Sequence, residues 1–189
     1  MRTLKIFLMT LIVILTHQSI NAQTINAQLH NRFIGYGINE LYIYLTLQED
    51  RQPVSLTKPH MRIPMNGDGT FVLRFPNVTN AGGYTVRNFM GSVMGIYDNL
   101  YVSNESTLTM MDIRVNASGE LSEYFGPCDD STRGSKIGFY VHASKAVTIS
   151  GAGLNITFKE GWNLMVVDNK AESIWVASGL NSGWNWGTD

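Results

Sequence analysis

Side chains able to do acid–base or metal chemistry are spread thinly along this sequence. His30, His60 and His142 stand alone, in none of the close spacings that place two imidazoles on one metal. Cys128, Asp129 and Asp130 lie together, and with His142 they form the one set that could meet around zinc, which takes nitrogen and sulfur ligands. A structural cysteine beside solvated acids accounts for the same residues, and no metal is expected. "NGDG" at 66–69 has the look of a calcium loop but lacks the further oxygen ligands and the late glutamate, so it reads as a turn. "GSVMG" at 91–95 puts its serine directly after the first glycine, which is not the spacing of a nucleophile elbow. "STRGSK" at 131–136 lacks the spacing of a phosphate loop. Glu105, Asp112, Glu120, Glu123, Asp129 and Asp130 could supply the carboxylate pair of a glycoside hydrolase, but that chemistry needs two acids flanking one cleft, and spacing places no two of them so. No catalytic residue and no cofactor are assigned.

The aromatic residues carry the clearest binding signal. Trp184 and Trp186 stand two apart in "SGWNWGTD" and share one side if that segment is extended. Asn185 between them points the other way, and Trp175 faces away from its neighbours Ile174 and Val176. Indole faces beside amide donors and acceptors suit a sugar ring, which has an apolar face and a polar rim. A candidate glycan site is therefore read on Trp184, Trp186, Trp175 and Asn185. The alternative is that Trp184 and Trp186 close the end of the core.

A fourth indole lies in "GLNITFKEGWNLMVVDN", residues 153–169. With Lys159-Glu160-Gly161 as a three-residue loop closed by a left-handed glycine, the segment predicts a hairpin. Phe158 then faces Trp162, Ile156 faces Leu164 and Leu154 faces Val166, giving one apolar face. Thr157, Asn163, Asn155 and Met165 make the other. Trp162 is thus expected to be a buried anchor rather than a platform for a ligand.

These residues must be positioned by strands. Leu41, Ile43, Leu45 and Leu47 alternate with Tyr42, Tyr44 and Thr46, and Phe71, Leu73 and Phe75 alternate after the turn at 66–69, which predicts a second hairpin. Ile137, Phe139 and Val141 share a face opposite Tyr140 and His142. "TLTMMDIRV", "AVTISG" and "SIWVAS" add further strands. Phe89, Met90, Val93, Met94 and Tyr97 have roughly helical spacing, so a short helix is an option near 88–98. The polar stretch 125–136 is a candidate linker.

The first 22 residues have the order of a secretory signal peptide: Arg2 and Lys5, an apolar run from Ile6 to Leu15, then polar residues and the small Ala22. That run, ~10 residues, is too short to span a bilayer, which takes ~20, and no later stretch is long and apolar enough. The lone Cys128 cannot form an internal disulfide, so the fold is expected to be held by burial rather than by a disulfide framework. With 14 Lys+Arg against 15 Asp+Glu and only 15% charged residues, the chain offers no basic face to a nucleic acid.

"NGDGTFVLRFP", "FYVHASKAVTISGAG", "ITFKEGWNLMVVD" and "SGWNW" occur in that order. In this the chain resembles a group of uncharacterised β-rich exported proteins of Bacteroidetes-type bacteria. Their pattern pairs a "VTIxG" strand with a "KKGWN" segment and a late tryptophan. His142-Ala143-Ser144 stands where the group tends to carry a Tyr-Ala-Asp-like run. The resemblance implies envelope location and fold, not chemistry.

Together these readings predict an exported all-β protein: a periplasmic, cell-surface or secreted antiparallel β-sandwich, with jelly-roll or Ig-like two-sheet packing. One domain is expected over 23–189, with a candidate internal boundary near 125–136. The leading function is a non-enzymatic structural or protein-interaction role in the cell envelope. The alternatives are a carbohydrate-binding module and a secreted hydrolase with a hidden carboxylate pair. The partner is a glycan or another envelope protein.

Overall fold

A computed structural model describes residues 23–33, 37–46, 59–78, 83–96, 99–117, 120–121, 125–129 and 136–187. The expected signal peptide at 1–22 and residues 130–135 of the polar stretch lie outside them. Among the described residues the strands are β1 (Thr24–Gln28), β2 (Glu40–Thr46), β3 (Met61–Pro64), β4 (Thr70–Arg74), β5 (Tyr84–Thr85), β6 (Tyr101–Val102), β7 (Thr107–Ala117), β8 (Glu120–Leu121), β9 (Gly126–Pro127), β10 (Lys136–Ala143), β11 (Val147–Gly151), β12 (Leu154–Phe158), β13 (Gly161–Asp168), β14 (Ser173–Val176) and β15 (Trp186–Gly187). One α-helix, α1 (Val86–Met94), interrupts them. Among the described residues no helix is long and apolar enough to cross a membrane.

The fold is the all-β sandwich that the alternation predicts, with all named strand pairs antiparallel. Its centre is an eight-stranded sheet ordered β14-β13-β10-β7-β2-β3, with β5 and β8 also paired to β7. Strand alternation sends successive side chains to opposite faces, and here both faces are apolar. Leu41, Ile43, Ile113, Tyr140 and Leu164 bury against Phe71 and Leu73 of the two-stranded sheet β1-β4. Leu108, Val141, Ala143 and Met165 bury on the opposite side against Ile149, Ile156 and Phe158 of the sheet β12-β11-β6. The helix covers the same side with Val86, Phe89 and Met90, spaced i, i+3, i+4. It starts at Thr85, whose Oγ1 accepts from the Asn88 N–H at 3.3 Å, and ends in a Schellman motif in which the Ile96 N–H reaches the Met90 carbonyl at 2.9 Å.

Both expected hairpins are replaced by corners between layers. β12 does not pair with β13. It pairs with β11 through a two-residue turn, Ala152-Gly153, whose φ values of +50° and +80° suit the twist of a tight hairpin. Ile149 then faces Ile156, Val147 faces Phe158, and the Thr148 and Thr157 hydroxyls meet at 2.9 Å on the outer face. β13 pairs instead with β10 and β14 in the central sheet. The register Phe158–Trp162 is therefore not formed, and the two rings lie in different cores. Trp162 is half-buried, its ring 5.5 Å from that of Phe75, and its Nε1–H donates to the Pro76 carbonyl at 3.0 Å. The turn at 66–69 likewise links β3, which pairs with β2, to β4, which pairs with β1.

A corner leaves backbone groups without ladder partners, and side chains must replace them. At 159–161 this falls to Asn163, which is only 5% exposed, not on an open polar face as the hairpin register requires. Its Oδ1 accepts from the Lys159 N–H at 2.9 Å, and its Nδ2 donates to the carbonyls of Lys159 and Gly161 at 2.8 Å each. Of the polar stretch 125–136, the described part is packed: Phe125 and Cys128 are buried, and the Asp129 N–H donates to the Lys136 carbonyl at 3.1 Å.

Asn163→Ala should therefore destabilise the protein by ~1–3 kcal/mol, the cost of stranding buried backbone groups. Asn155→Ala, at an exposed position of β12, should stay within ~0.5 kcal/mol. Urea denaturation of the two variants checks this; equal effects would restore the hairpin register, which makes the two positions equivalent.

Candidate functional site

The four residues read as a glycan site do not come together. Trp186 belongs to the core, 2% exposed, stacked on Tyr140 with ring centres 5.8 Å apart and edge-on to Phe71 at 5.1 Å. The expected exposed pair with Trp184 is thus not formed. The cause is β15, whose Trp186 and Gly187 pair with Pro127 and Gly126 of β9 and so lie against the first core. Trp175, opposite Val166, packs half-buried against that core and lines no groove among those described. Trp184 and Asn185 remain at the surface, half-buried and exposed respectively.

Those two residues line one wall of a groove of roughly 540 Å³. The other wall is the open face of β1-β4. Asn26, Gln28, Asn66, Asn181 and Asn185 bring five amide side chains to it, around the partly exposed indole of Trp184. Thr70 and Val72 lie on the same face, and among the described residues no ionisable one lines the groove. Amides offer donors and acceptors and carry no charge at any ordinary pH. Two of them are held in place by local bonds. Asn66 Nδ2 donates to Thr70 Oγ1 at 2.9 Å, and Asn181 Oδ1 accepts from the Gly183 N–H at 2.9 Å. The arrangement can hydrogen-bond a neutral polyhydroxylated ring and pack its apolar face against indole.

Asn26, Gln28 and Asn66 were not among the residues that the sequence singled out. "TINAQ" does alternate polar outward, so Asn26 and Gln28 read as solvent-facing. What brings them to Trp184 is long-range: Leu29 bridges Trp186, and the His30 N–H donates to the Trp186 carbonyl at 2.8 Å.

A larger groove, roughly 870 Å³, lies beside the helix start and includes Arg87, Glu105, Ser106, Ser144 and Lys145. Its serine hydroxyls are engaged with backbone. Ser106 Oγ donates to the Lys145 carbonyl at 3.0 Å, and Ser144 Oγ accepts from the Thr107 N–H at 2.8 Å. They staple the corner between β10 and β11.

The remaining chemistry-bearing residues are dispersed. Among the described residues no three of His, Cys, Asp and Glu could share a metal ion. Cys128 is buried, Asp129 lies 3.6 Å from Lys136, and Asp130 is outside the described residues. Asp112 holds Arg114 through contacts of 2.8 and 2.9 Å. Glu105 is in the larger groove, and the side chains of Glu120 and Glu123 lie outside the described set. His142 meets the edge of Trp162 at 5.3 Å, and burial holds its pKa below the ordinary imidazole value, partly opposed by Glu160.

Two outcomes follow from these placements. Trp186→Ala should cost ~3–5 kcal/mol, as a buried aromatic deletion does, while Trp184→Ala costs less; thermal denaturation compares them. For His142, the unfolded chain binds a proton more readily than the fold. Stability should be full above the ordinary pKa of ~6.5 and fall as pH drops below it towards the lower folded value. Urea midpoints between about pH 7.5 and 5.5 should decline in the wild type and less so in His142→Phe. A search for relatives of the whole chain found no matching family model and no significantly similar curated protein or solved structure.

Proposed function

We propose that this chain is an exported carbohydrate-binding module of the cell envelope, holding a neutral stretch of glycan in the Trp184 groove. The observation that carries this reading is the composition of the groove: among the described residues it is lined by one partly exposed tryptophan and five amide-bearing residues, with no ionisable one. Proteins that bind phosphates or acidic ligands place cations at the contact, and the described lining of this groove holds none. A groove for an apolar ligand would carry few hydrogen-bonding groups. A sugar ring matches both the amides and the indole. The leader-like segment at 1–22 and the resemblance to exported β-rich proteins support export. A second reading, an interaction surface for another envelope protein, is favoured by Tyr101, which is 67% exposed on β6 close to the larger groove.

Isothermal titration against a panel of neutral oligosaccharides tests the first reading. Binding should be weak, unchanged between about 0.05 and 0.5 M salt because no Coulombic term supports it, and reduced at least ~10-fold (~1.4 kcal/mol) by Trp184→Ala. Asn26→Ala should weaken it less. Near-ultraviolet circular dichroism confirms that the variants are folded. Full-strength binding by folded Trp184→Ala, or none by wild type alongside capture that depends on Tyr101, would favour the second reading.

A further inference from the structure

We infer that the glycan lies lengthwise along the open face of β1-β4, and that Arg74 selects for an acidic sugar unit just beyond the neutral groove. The inference rests on the carbohydrate reading and adds direction and specificity to it.

The register supplies the track. Gln28 pairs with Thr70, Asn26 with Val72, and Thr24 with Arg74. Ile25, Ala27, Phe71 and Leu73 turn into the core, so the six other side chains form one outward face, three cross-strand pairs long. Successive pairs on a face stand ~6.5–7 Å apart, two strand steps. The first two pairs line the groove, and the third continues it. Val72 is 45% exposed at the middle of the track. A β-branched apolar residue there gives a sugar ring an apolar floor between flanking amides.

The track has unlike ends. Beside the Thr70 end sits Asp68, whose carboxylate accepts from the Thr70 N–H at 2.9 Å and from its hydroxyl at 2.7 Å. These bonds hold its pKa below the usual carboxylate value, so it stays anionic. At the other end Arg74 is exposed and is the one ionisable residue of the β1-β4 face. A guanidinium presents a planar fork of donors that matches a carboxylate. A glycan with one uronic acid unit would place that unit at Arg74 and away from Asp68, leaving neutral units over Val72 and against Trp184. Binding then has two separable parts: a salt-insensitive part at Trp184 and a salt-sensitive part at Arg74.

Titration of wild type and Arg74→Gln with matched oligosaccharide sets, neutral or carrying one uronic acid, tests this. Wild type should prefer the acidic set by about 2- to 5-fold at low salt, the range of one exposed ion pair. The preference should vanish at high salt and in Arg74→Gln. Equal binding of both sets by wild type, or a preference that survives in Arg74→Gln, overturns the role of Arg74 and leaves the carbohydrate reading standing. Failure of wild type to bind either set overturns both.

Discussion

The central sheet must bury two apolar faces, and the rest of the structure follows from that demand. A sheet with one dry face can be built from hairpins that stay within it. Here the chain has to leave the sheet, cover one face or the other, and return. Each crossing breaks the hydrogen-bond ladder, and the freed backbone groups need other partners. Three crossings show how the broken ladder is repaired. Asn163 satisfies the backbone of Lys159 and Gly161, Asp68 accepts from Thr70, and Ser106 and Ser144 tie the corner after β10 to β7. None of these side chains is needed for a strand, and each is needed for a corner.

The candidate site is a by-product of the same layering. β1-β4 covers the first core with one face and has only two strands, so its other face stays open. Its polar residues are amides and hydroxyls rather than charges, except at Arg74. The opposing wall is positioned from inside. Tyr140, buried in the central sheet, donates its hydroxyl to the Leu180 carbonyl at 3.1 Å and stacks on Trp186. Burial raises the pKa of this phenol, so it remains a donor throughout the physiological range. Residues 181–185 are thereby tethered at both ends to one core aromatic. The groove is thus backed by a packed core.

Trp162 shows how one residue type can serve different ends in one chain. Its indole N–H is bonded to Pro76 and its ring lies against Phe75 and His142, so it anchors the loop after β4 to the central sheet. Trp186 fills the first core, and Trp175 lies half-buried against it. Trp184 is the tryptophan that lines a polar groove among those described. Indole is the largest side chain to bury, so a tryptophan marks a place where packing matters, and only the surroundings of the ring decide whether a ligand can share it.

The sequence by itself determined most of the longer strands and which way their side chains face, though not β1, nor the short β6, β9 and β15. Leu41 and Ile43, Phe71 and Leu73, Val147 and Ile149, and Ile156 and Phe158 lie inward as their two-residue alternation requires, because that alternation is a local consequence of backbone geometry. Gly161 takes a positive φ of +90°, as the turn signal asks. Only the tertiary structure decided the partner of each strand. β12 is equally apolar on one side whether it meets β11 or β13, and alternation has nothing to choose between them. The choice is made by burying both faces of the central sheet at once, a collective requirement to which no short stretch is sensitive. The same holds for the site. Trp184 and Trp186 are identical and two residues apart, yet one lines a groove and the other is sealed, because β9 pairs with β15 from some sixty residues away. Asn26 and Asn181 meet across one groove only because β1 and the segment before β15 pack on the same core.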